Sequence, residues 1–287
     1  MNGRLPNLLI IGAQKCGSST LAAELSSCSQ ISLGEEKEPG DLARFSTSRS
    51  DNALKLYSRK FSNASPIAKY LLDASTIYSM RQRHPDCAEV AYKYLGDEIR
   101  IIYITRDPVS RAISHHKHYW SRGLMDAKFD SALIENAELV LNGLYYYQLE
   151  PWLNKFDQQN ILLVSLEELK DNRLAVLHKV AKFLDLPAGT FDVDSVQKHE
   201  NIYSSSQINH SSVVGRFLTS RLYRDYIRPF TSSYVKSGAR KIFSRDAGES
   251  PVDPSPETIE MLKRLFELDT RQFKEIAASI SLTSRSN

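Results

Sequence analysis

The stretch that decides the fold is Leu8-Leu9-Ile10-Ile11-Gly12-Ala13-Gln14-Lys15-Cys16-Gly17-Ser18-Ser19-Thr20-Leu21. Its apolar start is short and ends at Gly12, which is typical of a buried parallel strand. Leu21, Ala22 and Leu25 then follow a helical repeat. The stretch therefore predicts a strand, a turn bounded by glycines and a helix.

The turn between this strand and helix has the composition of an anion-binding site. The first N–H groups of a helix have no partner inside the helix, and the helix dipole places partial positive charge there. Gly17 allows the backbone to approach a ligand closely, and Lys15 adds a full charge. Three hydroxyl donors follow, at Ser18, Ser19 and Thr20. The alternative is a tight turn that binds nothing.

The nearest formal motif is the P-loop of nucleoside triphosphatases. Gly12 and Gly17 have the glycine spacing of G-x-x-x-x-G-K-[ST]. Ser18, however, occupies the position of the P-loop lysine, and the lysine of this chain is Lys15, inside the turn. This departure argues against an ordinary ATPase or kinase and favours another phosphate-rich donor.

Strand and helix patterns alternate along the chain. This alternation predicts an α/β fold of three layers, with a mostly parallel central sheet flanked by helices and a P-loop-like strand-loop-helix unit. The whole chain, residues 1–287, is interpreted as a single domain. Within it we expect a lid or insertion over 125–143 and a cofactor or acceptor loop over 198–216. Later strands are predicted near residues 30, 70, 100 and 160, and helices over 51–61, 145–156, 171–184 and 256–278.

Composition excludes several classes of protein. The net charge of +3 comes from lysines and arginines spread along the chain, so nucleic acid is not an expected partner. Three cysteines do not form a disulfide framework or a zinc site, and no metal is expected. No apolar segment approaches the length of a membrane span. The predicted location is therefore the cytoplasm, unless an N-terminal anchor was removed, and the oligomeric state is not indicated.

A second candidate binding segment begins at a β-branched run over 100–105. The run ends at Arg106, and Asp107 and Pro108 then supply a helix N-cap and a first helical residue. Ser114 lies about two helical turns further on. A guanidinium and a hydroxyl placed in this way can clamp a phosphate monoester. The alternative is a structural salt bridge of Arg106.

Two further groups of polar residues are candidates for the site. Glu38 lies in an acidic loop after a predicted strand, and loops of this kind meet at the ligand-binding edge of a parallel sheet. The alternative there is a solvated charged turn. His115, His116 and His118 lack the spacing of a metal site, and we expect a solvated or substrate-facing cluster.

Three of these segments, in this order, resemble motifs of the sulfotransferases that use 3′-phosphoadenosine 5′-phosphosulfate (PAPS). The stretch from Ile10 to Leu21 resembles their 5′-phosphosulfate loop, and the stretch from Tyr103 to Ser114 resembles their 3′-phosphate motif. Lys37-Glu38-Pro39 is similar to the Lys-Glu motif of the branch that contains heparan sulfate sulfotransferases and many bacterial relatives.

The resemblance implies a role for each matching residue. Lys15 would contact the bridging oxygen of the phosphosulfate, and Glu38 would be the general base that takes the proton from the acceptor. Arg106 and Ser114 would hold the 3′-phosphate. Arg216 resembles the end of a later loop that covers the cofactor, although the lysines usual there are missing. The other residues assigned to the cofactor are Gln14, Cys16, Gly17, Ser18, Ser19 and Thr20, of which the last four would hold the 5′-phosphate.

The same resemblance implies PAPS as donor, 3′-phosphoadenosine 5′-phosphate (PAP) as product, and a glycan, lipid or small molecule with a hydroxyl or amine as acceptor. Ala74 and Thr76 stand where the heparan sulfate branch often has lysine and proline, and its aromatic pair after Pro39 is absent. Both departures argue against a heparan-type acceptor. Two alternatives are a P-loop small-molecule kinase or phosphotransferase, and an inactive nucleotide-binding module.

Overall fold

The computed structural model describes residues 4–36, 38–45, 51–187, 189–191 and 250–283. The chain divides into two compact units. The first comprises Met1–Arg111, Val140–Asn201 and Leu262–Asn287, and the second comprises Ala112–Leu139 and Ile202–Met261.

A parallel five-stranded sheet forms the centre of the first unit. Its strands are β1 (Leu8–Gly12), β2 (Ile31–Leu33), β3 (Tyr70–Asp73), β4 (Arg100–Thr105) and β5 (Ile161–Ser165). Their order across the sheet is β2-β3-β1-β4-β5, and every neighbouring pair is parallel. The predicted α/β class and parallel sheet are confirmed.

Both faces of the sheet are covered by apolar side chains, as parallel sheets require. Alternate residues of β1 face opposite ways, so that Leu9 and Ile11 belong to one cluster of buried side chains while Leu8 and Ile10 belong to another. All five residues of β1 are buried. The sheet is therefore the middle layer of three.

The helices supply the outer layers and the connections. The described helices are α1 (Ser18–Leu25), α2 (Asp41–Phe45), α3 (Asp51–Arg59), α4 (Cys87–Leu95), α5 (Pro108–Trp120), α6 (Phe129–Glu135), α7 (Glu138–Leu141), α8 (Tyr145–Leu153), α9 (Leu166–Asp171), α10 (Arg173–Phe183) and α11 (Pro256–Thr283). Among these described helices, none combines the length and apolar character needed to cross a bilayer.

The predicted helix over 171–184 is wrong at its start. Two helices, α9 and α10, meet at Asn172, which is the C-cap of the first and the N-cap of the second. The Asn172 side chain accepts a hydrogen bond from Ala175 N–H at 3.0 Å. A side-chain acceptor next to the backbone stops one helix and starts the next.

The second unit contains short helical segments in its described part. The predicted segment 125–143 contains α6 and α7. Lys128 and Val252 form an isolated parallel bridge, and Ser255 accepts a hydrogen bond from Thr258 N–H at 3.2 Å. Ser255 therefore caps α11. This helix extends to Thr283, five residues beyond its predicted end at 278.

Candidate active site

The candidate residues of the first unit lie at one edge of its sheet. The five strands run parallel, so their carboxyl ends meet at the same edge. The turn with Lys15 follows β1, the loop with Glu38 follows β2, and Arg106 follows β4. Since β1 lies between β3 and β4, the Lys15 turn occupies the middle of the edge. Strand spacings of about 4.8 Å separate the axes of β1 and β2 by about 10 Å.

The turn after β1 has a backbone geometry in which free N–H groups can bind an anion. Gly17, the N-cap of α1, has a φ of 89°. The first hydrogen bond of α1 runs from Leu21 N–H to Gly17 C=O at 3.0 Å. The N–H groups of residues 18–20 precede that bond and have no acceptor within the helix. They form the positive end of the helix dipole at the edge of the sheet.

Packing, and not ligand approach alone, requires glycine at position 17. A Cβ there would lie 2.6 Å from Cδ1 of Leu166. Lys15 also has a positive φ, of 68°, so the turn is tightly wound on both sides of Cys16. The polar side chains of the turn are graded in exposure: Ser18 is buried, Gln14, Lys15 and Ser19 are half-buried, and Thr20 is exposed.

Cys16 supports the turn from below. It is fully buried, and its Sγ lies 3.4 Å from the hydroxyl of Tyr145. Burial raises the pKa of the Cys16 thiol to about 11, while the Tyr145 hydrogen bond and the charges of Arg111 and Arg106 act in the opposite direction. Cys16 is therefore a neutral packing residue at physiological pH. Its side chain packs inside the protein, and the place of Cys16 among the cofactor-binding residues stays a prediction.

Arg106 lies beside this turn. The Arg106 charge acts to lower the pKa of the Cys16 thiol. Ala13 donates its N–H to Ile104 C=O at 2.6 Å, and this hydrogen bond joins the ends of β1 and β4. Asp107 caps α5 as predicted, since its Oδ1 accepts a hydrogen bond from Ser110 N–H at 2.7 Å. Ser114 lies further along α5, in the part of the helix that belongs to the second unit.

The Glu38 side chain is exposed, while the backbone of the residues that follow it is hydrogen-bonded to buried side chains. Gly40, whose φ is 64°, donates its N–H to Ser75 Oγ at 3.0 Å. Leu42 N–H donates to the hydroxyl of Tyr78 at 3.4 Å. Glu38 is thus a solvent-facing carboxylate on a loop with buried supports.

Lys60 forms ion pairs with two carboxylates that flank Glu38 in the sequence. Lys60 Nζ lies 2.9 Å from Glu36 Oε2 and 2.8 Å from Asp41 Oδ2. The Asp41 side chain is nearly buried, so this second ion pair is shielded from water. Carboxylates before and after Glu38 are therefore joined through one ammonium group.

Sequence reasoning missed Asp73. This residue ends β3 and is fully buried, and its carboxylate accepts hydrogen bonds of 2.6 Å from the hydroxyls of Tyr57, Ser75 and Tyr78. Burial raises the pKa of Asp73 to about 6; the three hydroxyls lower it and the charge of Asp41 raises it. A carboxylate at the end of an apolar strand was the available signal, but its partners could not be read from the sequence.

A family model described as "Sulfotransferase domain" matches residues 5–237. The chain belongs to the sulfotransferase domain family. The predicted family is thereby confirmed.

Curated relatives of this sulfotransferase domain are distant and longer. The bifunctional heparan sulfate N-deacetylase/N-sulfotransferase 1 of Caenorhabditis elegans is 28% identical over 200 residues, which are 66% of this chain and 23% of that protein. Luciferin sulfotransferase of Photinus pyralis is 23% identical over 52% of this chain and 40% of its own length. The chain thus spans about a quarter of the length of the heparan sulfate relatives it matches.

Solved structures share the fold of this sulfotransferase domain. A sulfotransferase from Alicyclobacillus acidocaldarius has a TM-score of 0.57 at 21% identity, over 85% of this chain and 98% of that chain. The mouse sulfotransferase SULT7A1, complexed with PAP, has a TM-score of 0.54 at 16% identity, over 100% of this chain and 91% of that chain.

We expected a solvated or substrate-facing histidine cluster, and the expected solvent exposure is wrong for two of its three members. His115 and His116 are fully buried, whereas His118 is half-buried. His116 Nε2 lies 2.8 Å from Asp126 C=O, and its ring packs edge-on against Phe129. Both rings lie on the buried face of α5.

Two predictions are not tested by the described residues: the cofactor or acceptor loop over 198–216, and the expectation that no metal is bound. The loop over 198–216, with Arg216, lies outside the described residues. Within the described part of the chain, no group of three or more His, Cys, Asp or Glu side chains is placed to hold a metal ion.

Proposed function

We propose that this sulfotransferase domain transfers a sulfuryl group from PAPS to a hydroxyl or amine of a carbohydrate, lipid or small-molecule acceptor. The observation that carries the proposal is the order of the loops along the sheet edge. A helix N-terminus with Lys15 lies between Arg106 on one side and the Glu38 loop on the other. This order matches a donor with two anionic groups and an acceptor on the opposite side.

The donor would use two positive regions. The first N–H groups of α1 and the hydroxyls of Ser18, Ser19 and Thr20 would bind the 5′-phosphate. Arg106 would bind the 3′-phosphate as a bidentate fork, together with Ser114. Support for this donor comes from the resemblance of both segments to PAPS motifs and from the fold shared with a sulfotransferase that was solved with PAP.

The transfer is a displacement at sulfur. The acceptor oxygen or nitrogen attacks the sulfur atom in line with the leaving phosphate oxygen, its proton passes to Glu38, and the sulfur–oxygen bond to the phosphate breaks to release PAP. Lys15 would stabilise the negative charge that develops on the bridging oxygen. Reactions of this kind need positioning and charge stabilisation more than covalent help from the protein.

The acceptor class is narrowed by two buried positions. Ala74 and Thr76, where the heparan sulfate branch often has lysine and proline, are 2% and 5% exposed. They supply no cation at the surface for an anionic glycan. We therefore propose a neutral hydroxyl acceptor in preference to a heparan-type chain.

The test of the proposed function compares two glutamates. Glu38→Gln should lower kcat for sulfate transfer by about 10²–10⁴-fold, the usual contribution of a general base, while PAP affinity measured by calorimetry stays the same. Glu98→Gln, an exposed charge at the amino end of β4, is the matched control and should retain activity.

The assay measures transfer from ³⁵S-labelled PAPS to N-desulfated heparan oligosaccharide, a neutral glycan and p-nitrophenol. Full activity of Glu38→Gln would remove Glu38 as the base. Binding of Mg·ATP without binding of PAP would overturn the sulfotransferase proposal in favour of a phosphotransferase. Preference for the heparan oligosaccharide would overturn the proposed acceptor class alone.

A further inference from the structure

The buried carboxylate of Asp73 is connected to the loop that carries Glu38. Its Oδ1 accepts the Ser75 hydroxyl and its Oδ2 accepts the Tyr78 hydroxyl, both at 2.6 Å. The oxygen of Ser75 in turn accepts the N–H of Gly40, and that of Tyr78 accepts the N–H of Leu42. Gly40 and Leu42 follow Glu38 by two and four residues.

The charge of Asp73 determines how these two hydroxyls are oriented. A hydroxyl can donate or accept, and its proton rotates to suit its neighbours. An ionised carboxylate only accepts hydrogen bonds, so the Ser75 and Tyr78 hydroxyls both point their protons at Asp73. The lone pairs of these two hydroxyl oxygens are then available to accept the loop N–H groups. Chains of this type, from N–H through O–H to a carboxylate, polarise and strengthen one another in a buried setting.

We infer that Asp73 is a positioning residue for Glu38: through Ser75 and Tyr78 it fixes the backbone after Glu38 and so the direction of that carboxylate. The inference rests on the proposed function in assigning Glu38 as the base. It also accounts for a fully buried carboxylate, which would be costly without such bonds.

Tyr57 provides a matched control inside the same cluster. Its hydroxyl donates to Asp73 Oδ2 at 2.6 Å, the same acceptor and distance as for Tyr78, and both tyrosines are buried. In the described part of the chain no hydrogen bond joins the Tyr57 hydroxyl to the loop backbone. A merely structural role of the cluster predicts the same effect for both tyrosines, whereas a positioning role separates them.

The experiment compares Ser75→Ala, Tyr78→Phe and Tyr57→Phe. Hydrogen exchange measured by mass spectrometry on the peptide with Gly40 and Leu42 should become about fivefold to tenfold faster in the first two variants, the effect of one lost hydrogen bond. It should stay at the wild-type rate in Tyr57→Phe. With p-nitrophenol or the glycan turned over by the wild type, kcat should fall about tenfold to hundredfold in Ser75→Ala and Tyr78→Phe.

The acceptor KM and the PAP affinity should change little in all three variants, because none of the three hydroxyls is assigned to a ligand. Equal exchange and equal kcat for Tyr57→Phe and Tyr78→Phe would overturn the inference. So would wild-type exchange of the loop in Ser75→Ala and Tyr78→Phe. If the wild type neither binds PAP nor consumes PAPS, the proposed function fails, and the exchange comparison still decides whether Asp73 holds the loop.

Discussion

Replacing Asp73 with asparagine should change how stability depends on pH. Burial raises the pKa of Asp73 from the ordinary aspartate value of 3.8 to about 6. The folded state therefore binds this proton more tightly than the unfolded chain does. The resulting stabilisation is fully present below pH 3.8 and is lost as the pH rises through about 6. Asparagine does not titrate, so Asp73→Asn lacks this contribution.

The size of the effect follows from the pKa. A tenfold change in proton affinity corresponds to about 1.4 kcal/mol, so the wild type should lose about 3 kcal/mol relative to Asp73→Asn between acid and neutral pH. The Asp73 carboxylate is fully buried, so water does not screen its interactions. The ion pair between Asp41 and Lys60 is present in both proteins and cancels in the difference.

Urea unfolding of both proteins, at pH values from 4 to 7.5, measures this difference. The free energy of unfolding of the wild type minus that of Asp73→Asn should decrease steadily as the pH rises. A difference that is independent of pH would show that Asp73 has no raised pKa. A difference that increases with pH would show that the three hydroxyl bonds outweigh the cost of burial and hold the carboxylate ionised.

Two further substitutions test the supports of the site. Gly12→Ala should lower the free energy of unfolding by about 2–4 kcal/mol, because Gly12 has a φ of 152° and an added Cβ would lie 2.0 Å from Ser79 Oγ. Urea unfolding measures this loss, and an equal loss in a Ser79→Ala background would mean that the contact with Ser79 is irrelevant. Asp269→Ala should lower the free energy of unfolding by about 1–2 kcal/mol, because the Asp269 carboxylate accepts hydrogen bonds from the N–H groups of Tyr146 and Tyr147 at 3.0 and 2.9 Å. An unchanged melting temperature would contradict this prediction.

The strand, turn and helix around Lys15 were predictable because their signals are local. An apolar run, two glycines and a following helical repeat occupy the eighteen consecutive residues from Leu8 to Leu25, and each acts on its neighbours in sequence. The same holds for the Asp107 cap, which bonds an N–H group three residues later. The parallel sheet followed from the alternation of strands with helices, since parallel strands require crossovers.

The supports of the site were not predictable, because their partners are distant in sequence. Tyr57 and Asp73 are separated by 16 residues, and Gly40 and Ser75 by 35. No local pattern connects such positions, and a buried aspartate looks the same in sequence as an exposed one. The predicted exposure of His115 and His116 was wrong for a related reason. Their polar side chains suggested exposure, while the face of α5 on which they lie is buried.

The residues to which we assign reacting roles are more exposed than the residues that support their loops. Glu38 is exposed and Lys15 and Arg106 are half-buried, while Asp73 and Ser75 are completely buried. A base must reach a solvent-borne acceptor, yet an exposed side chain on a loop has many rotamers to lose. Anchoring the backbone on buried hydroxyls restricts the loop without covering the carboxylate. If Glu38 is the base, as we propose, this arrangement would present it to an acceptor at the edge of the sheet while the loop backbone stays fixed.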